Sequence, residues 1–252
     1  MRCGTASAHS SVGGNPDAGS SLPRGRANHE LTTAGVGLLA DPSGALYWPN
    51  EKLLVVADLH LEKGSAFAKR GVPLPPYDTA ATLSRVARLI EHYAPRAVVA
   101  LGDSFHDRAG AMRLPETCRA VLKEMQRGRD WIWMTGNHDP DPADGIGGHS
   151  AAVLAIGPLS FRHEPSAGAA NGEIAGHLHP LARIARRGRA VSRRCFASDG
   201  RRVVMPAFGA YAGGLNVRDR AIAMLFGTPA FTAHMLGKHR LYAVAAARCL
   251  PD

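Results

Sequence analysis

The sequence predicts an α/β fold built on a mostly parallel sheet. Two observations carry that expectation. Between residues 53 and 137 the hydrophobic period alternates in the order strand, helix, strand, helix, strand. After Gly148 the texture changes to short strand-like pieces, which predicts a mixed or antiparallel second half completing the same core.

The elements follow in order. Residues 1 to 30 are polar and Gly/Ser-rich, with almost nothing to bury, and read as a disordered tail. They contain no apolar signal core. A single domain is expected over residues 31 to 252. In GVGLLADPSGALYWP the turn signal DPSG separates two apolar runs, which predicts a hairpin. EKLLVVADLH is a nearly continuous apolar run, as in a strand covered on both faces. From Asp78 to Tyr93 the period is helical: Leu83, Val86, Ala87 and Ile90 share one face, and Asp78 is the expected N-cap. RAVVALGD is the next strand. In LPETCRAVLKEMQRG, Pro115 opens a helix, Cys118, Val121, Leu122 and Met125 form its stripe, and Gly128 ends it. WIWMTGN is the third strand, with Trp131 and Trp133 expected in the core. AAVLAIG, LSFRHE, GEIAGH, RVVMPAFG, AIAMLFG and LYAVAAA supply the strand-like pieces of the second half.

Composition excludes several classes. No window holds eighteen uninterrupted apolar residues, so no transmembrane helix is expected. Cys3, Cys118, Cys195 and Cys249 form neither a CxxC pair nor a disulfide ladder, and a reducing cytoplasm fits them best. The formal charge of +9 favours an anionic partner, such as nucleic acid, as a bulk attraction. The segment 182 to 202 carries eight arginines and one aspartate. It reads either as a cationic hairpin tracking a nucleic-acid backbone or as a solvated hairpin. Lys63 and Arg70, just after DLH, are within sequence reach of a phosphate at the same place.

The chemistry lies at the strand ends, where open α/β sheets bind ligands. The first strand ends in Asp58-Leu59-His60, the second in Gly102-Asp103, and the third in Gly136-Asn137-His138-Asp139. His177 and His179 repeat the i, i+2 spacing of Asp58 and His60, which in extended chain would point both to one side. His163 adds an imidazole at another strand end. A set of His, Asp and Asn without thiolate suits Mn²⁺ first, with Fe and Zn²⁺ as alternatives. Seven candidates are too many for one ion. They fit two ions about 3.5–4 Å apart that share a carboxylate, clamp a phosphate and activate water.

DLH, GDSFHD, GNHD, a lone downstream His and GHLH occur in that order over residues 58 to 179. The series resembles the signature of the calcineurin-like metallophosphoesterases. The resemblance implies a four-layer αββα sandwich and two divalent metal ions. It implies that Asp58, His60 and His179 hold one ion, that Asn137, His163 and His177 hold the other, and that Asp103 bridges them. His138 would bind the scissile phosphate, with Asp139 fixing its ring. LEKG, GDSFHD, GHLHP and MPAFGAYAGGLNV further resemble the bacterial ligase-associated DNA damage response endonucleases, over nearly all of residues 31 to 240. That likeness implies DNA as substrate, with a ligase or helicase as repair partners. His106, in GDSFH, also resembles a histidine of superfamily nucleases of double-strand-break repair, and that likeness implies that it protonates the leaving oxygen.

Two other readings stand beside this one: a small-molecule phosphodiesterase or phosphatase acting on nucleotides or pyrophosphates, and a non-catalytic scaffold of the same fold. Asp107 is expected to cap the next turn or orient a ligand, and His149 to be a loop residue. Gly213 and Gly214 mark a turn. His9, His29, His92, His234 and His239 have no motif context and are expected on the surface.

Overall fold

The structure, a computed structural model, describes residues 29–72, 74–140, 145–227 and 230–252. Of the expected tail, residues 1 to 28 lie outside that description. His29 and Glu30 do not behave as tail, because the first strand begins at His29.

Seven strands form the first sheet in chain order: β1 (His29–Thr33), β2 (Val36–Ala40), β3 (Leu46–Trp48), β4 (Leu53–Val56), β5 (Ala97–Ala100), β6 (Asp130–Met134) and β7 (His149–Ala151). The pairs β1 to β4 are antiparallel, and the DPSG turn joins β2 to β3 as expected. The pairs β4 to β7 are parallel. The crossovers carry α1 (Lys63–Lys69), α2 (Asp78–Tyr93), α3 (Gly110–Arg113) and α4 (Glu116–Gln126).

The second sheet contains β8 (Val153–Ile156), β9 (Leu159–Arg162), β10 (Glu173–Ala175), β11 (Leu181–Arg186), β12 (Arg189–Ser198), β13 (Arg202–Val204), β14 (Thr232–Leu236) and β15 (Leu241–Ala245). It is mixed: β9, β10 and β13 run parallel, and the other pairs are antiparallel. The run AAVLAIG is not one strand. It splits at Ala152, and the chain passes there from the first sheet to the second.

Three apolar clusters fill the layers. Leu83, Val86 and Leu89 of α2 and Leu122 and Met125 of α4 pack on Leu54, Val56, Val98 and Trp131. Val55 and Val99 on the opposite face meet Phe161, Ile174, Phe196 and Val203 of the second sheet. Cys195, Val204 and Ala233 face outward onto Val217 and Ile222, the latter in α5 (Arg220–Ala223). The result is a four-layer αββα sandwich whose outer helical layer is reduced to α5 and two 3₁₀ turns.

Several local expectations change. Asp78 is the first residue of α2 rather than its cap, and its carboxylate accepts from the Gly64 amide at 3.0 Å. It therefore braces the start of α1, a role that no local pattern announces. Val121 is exposed and leaves the α4 stripe to Leu122 and Met125. Trp131 and Trp133 are buried, as expected. His234 is buried too, against the surface expectation, and its Nδ1 lies 3.0 Å from Nε2 of His29. Neither ring carries a sequence motif, so nothing local signalled the pairing.

Candidate metal centre

The C-terminal ends of β4, β5, β6, β9 and β10 meet at one edge of the sandwich. Backbone hydrogen bonds clip their loops together. The His60 and Leu61 amides donate to the Asp103 and Ser104 carbonyls, each at 2.9 Å. The Gly176 amide donates to His163 at 2.9 Å, and the Gly209 amide to Asp58 at 3.1 Å.

Asp58 and His60 do converge, but not by strand alternation. β4 ends at Val56, and Asp58 and His60 adopt left-handed backbone with φ of 52° and 44°. Asp103, His177 and His179 do the same, at 45°, 69° and 46°. A non-glycine residue held there costs on the order of 1–3 kcal/mol, and such strain persists where packing over-determines it. Five of the seven candidate ligands carry it.

The side chains form two groups. Asp58, His60 and His179 offer ligand atoms within 4.8 Å of one another. Nε2 of His60 lies 3.3 Å from Nε2 of His179, and Oδ1 of Asp58 is also 3.3 Å from the latter. Asp103, His163 and His177 make the second group. Nε2 of His163 is 2.9 Å from Oδ1 of Asn137, 3.2 Å from Nδ1 of His177 and 3.4 Å from Oδ1 of Asp103. Asp103 also reaches toward the first group, its Oδ2 lying 4.0 Å from Nε2 of His60.

The donor chemistry fits cations. Burial, followed by the imidazoles of His179, His138 and His106, pushes His60 down to about 2, so its ring is neutral and keeps a lone pair. Burial and His163 lower His177 as well. Nδ1 of His163 lies 2.9 Å from the Leu101 carbonyl, which can only accept. The proton therefore resides on Nδ1, and Nε2 is free to ligate, the usual outer support of a metal-binding histidine. These residues fit two divalent ions.

A third imidazole group lies beside them: His60, His106 and His138. His106 and His138 stack at 5.4 Å. Nδ1 of His138 donates to the His106 carbonyl at 2.8 Å. Asp139 therefore does not fix the His138 ring. Its Oδ2 accepts from the Ser104 and Phe105 amides at 2.8 and 3.1 Å and ties the β6 loop to the β5 loop. Asp103 holds the same junction by accepting from the His138 amide at 2.9 Å. Burial raises Asp139 to about 7. Burial, with Lys63 and His138, lowers His106 to about 4.

Asp107 caps its turn through the Ala109 amide and pairs both carboxylate oxygens with Arg113. His149 lies in β7 rather than in a loop, opposite Ile132. Gly214 is more than a turn residue, since a Cβ there would stand 2.0 Å from the His179 carbonyl. An open cleft of about 670 Å³ leads from His106, His138 and Asn137 past Lys69, Arg70, Arg108 and Arg113.

A two-sheet sandwich carrying two His/Asp groups on one rim defines a metal-dependent hydrolase of phosphoesters. The calcineurin-like phosphoesterase family model matches residues 51–187, and the chain belongs to that family. That fold implies a dinuclear divalent metal site. Among solved structures, the Pseudomonas putida nuclease MPE superposes with a TM-score of 0.69 at 24% identity, covering 86% of this chain and 100% of that one. The E. coli phosphoesterase Yfce gives a TM-score of 0.40 at 16% identity, covering 77% and 98%. No curated protein matches the sequence. Among the described residues, no helix is long and apolar enough to cross a membrane.

Proposed function

We propose that this phosphoesterase hydrolyses phosphodiester bonds in DNA, as a cytoplasmic repair endonuclease of the ligase-associated type (PdeM). In this reading Asp58, His60 and His179 would hold one Mn²⁺, Asn137, His163 and His177 would hold a second, and Asp103 would serve both. When bound, the ions neutralise the phosphate and activate water. His138 presents Nε2 to a non-bridging phosphate oxygen, because its Nδ1 is occupied by the His106 carbonyl. His106 stands beside it as the proton donor to the leaving oxygen. In the free protein its ring is neutral at pH 7, and the approaching anionic phosphate draws its pKa up toward the useful range. The unlinked Cys118, Cys195 and Cys249 accord with a reducing cytoplasm.

The observation that carries the reading is the stacked His106–His138 pair beside two complete His/Asp groups, at the mouth of a cleft lined by Lys69, Arg70 and Arg108, with Arg113 paired to Asp107 in the same wall. That cleft suits a polyanion. The similar Pseudomonas putida protein is named a nuclease, which points the same way.

The test is nicking of supercoiled plasmid with added Mn²⁺, beside Asp103→Ala and two chromogenic substrates, a phosphodiester and a phosphomonoester. Nicking that disappears in Asp103→Ala is expected. Hydrolysis of the small esters with the plasmid left intact would reject DNA and select the small-molecule alternative.

A further inference from the structure

The β11–β12 hairpin plays no part in the chemistry above. It pairs from Leu181↔Arg194 out to Arg186↔Arg189, while β12 meets β14 only from Cys195 onward. Its base is fixed, with the Val217 amide on Leu181 at 2.8 Å and the Leu250 amide on Arg183 at 2.7 Å. Residues 185 to 190 are exposed. The hairpin is thus a two-stranded arm projecting from the sandwich, and it starts two residues after His179.

Its charge placement is unusual for a merely solvated surface. Arg186 and Arg189 are direct cross-strand partners, and like charges in that register destabilise a hairpin. Arg193 lies on the same face, because it pairs with Ala182, four residues along β11 from Arg186. The tip residues Arg187 and Gly188 both have positive φ, 48° and 75°. Such a two-residue turn favours Asn-Gly, so Arg187 adds a further cost. None of these four arginines is paired with a carboxylate among the described residues. The like-charged register and the strained turn both oppose hairpin stability, and an anion on this face would relieve the repulsion.

The spread of the charges selects the anion. Arg189 and Arg193 are four residues apart, roughly 13 Å along the strand. Arg186 and Arg189, directly opposite each other, can share one phosphate, but Arg193 lies too far along the strand to join them and meets another, so the set suits successive phosphates of a polymer. Guanidinium forks suit that role.

We propose that this hairpin is a DNA-binding arm, with Arg186, Arg187, Arg189 and Arg193 gripping backbone phosphates away from the reacting bond. The proposal rests on the DNA reading above and names the surface that holds the polymer. Arg194, at the foot of the arm, couples it to the site. Its guanidinium donates to the Ala207 and Ala212 carbonyls at 2.9 and 2.8 Å, in the segment whose Gly209 amide bonds Asp58.

The experiment compares wild type with the combined Arg186→Ser, Arg187→Asn, Arg189→Ser, Arg193→Ser protein. Asn suits the positive-φ turn and the serines remove the like-charged pair, so the variant's melting temperature should be no lower than that of wild type. Two substrates are followed between 50 and 200 mM salt: a DNA duplex and bis(p-nitrophenyl) phosphate. The variant should hydrolyse the small ester within twofold of wild type. Its kcat/KM on DNA should fall at least tenfold at low salt. Its log–log salt slope should flatten by about 2.7, since three phosphates no longer neutralised each remove about 0.9 from the slope. DNA cleavage within twofold of wild type at every salt concentration would overturn the arm and leave the nuclease intact. A wild type that hydrolyses the ester but not DNA would overturn the substrate reading itself, and the arm with it. Unchanged DNA cleavage together with abolished binding to phosphatidylserine vesicles would reassign the arm to a membrane surface.

Discussion

Replacing Gly136 by alanine tests how the site is held together. Gly136 follows the β6 strand and does not have positive φ, so its backbone would accept any residue. Proximity is what excludes a side chain. A Cβ there would stand 2.2 Å from the Asp103 amide nitrogen, 2.4 Å from Asp103 Oδ1 and 2.6 Å from Asp139 Oδ1. Ordinary contact begins at 3.4 Å, so the β5 and β6 loops must part by about 1.2 Å. The atoms being pushed are backbone and buried carboxylate, which cannot swing aside as a surface side chain would. Overpacking of this kind costs about 1–3 kcal/mol, and in a chain of this size each kcal/mol lowers Tm by about 2–4 °C. The same displacement moves Asp103 away from the imidazoles it faces and shifts His138, whose amide Asp103 holds. A misplacement of about 1 Å costs on the order of 10²-fold in rate. The assay is thermal unfolding plus kcat/KM on bis(p-nitrophenyl) phosphate with Mn²⁺. A Gly136→Ala protein with unchanged Tm and activity within threefold would refute the argument that this close approach positions the site.

Three further outcomes follow from particular residues. His106→Gln should lower DNA cleavage by about 10²–10⁴ while affecting a p-nitrophenyl ester much less, since that leaving group needs no proton; equal losses on both would remove His106 from the acid role. Burial, with His29 adding to it, lowers His234 to about 4, so the folded state disfavours its protonation. Stability from this group is complete above pH 6.5 and is lost as pH falls toward 4, by about 2 kcal/mol at pH 5. His234→Phe should therefore flatten the difference between denaturant midpoints at pH 7 and pH 5, and an unchanged difference would count against that shift. Glu173 and Arg202 form a buried ion pair at 2.6 Å, with Arg202 only 1% exposed. Glu173→Gln leaves the buried guanidinium with only the uncharged acceptors of Leu225, Ser166, Gly168 and the new amide, and should cost about 3–5 kcal/mol in urea unfolding; Glu173→Gln with Arg202→Met should recover much of it, and additive losses in the double variant would show that the pair is not coupled.

Much of the framework was legible in the chain because it depends on periods. Alternation of period between residues 53 and 137 is a local property, and it led directly to the parallel strands β4, β5 and β6. The DPSG turn likewise carried its hairpin. The candidate ligands were legible because they cluster at strand ends, and parallel strands bring those ends to one edge. The family signature then ordered them. Asp78 and Asp139 depart from expectation. The helical period makes Asp78 a cap and the family resemblance gives Asp139 the adjacent ring, while the structure directs both carboxylates to amides of other loops.

The sequence by itself determined which groups could bind and react: the apolar periods, the Asp, His and Asn inventory, and the strand ends that bear them. Only the tertiary structure decided how those groups face one another. The left-handed turns at Asp58, His60, Asp103, His177 and His179 are locally unfavourable, so no propensity read along the chain would select them. They exist because loops distant in sequence hydrogen-bond across the rim and leave the backbone no lower-energy path. The crossing between sheets at Ala152, the burial of His234 and the stacking of His106 on His138 have the same origin. Each is fixed by packing between segments far apart in the chain, and a one-dimensional pattern carries no record of it.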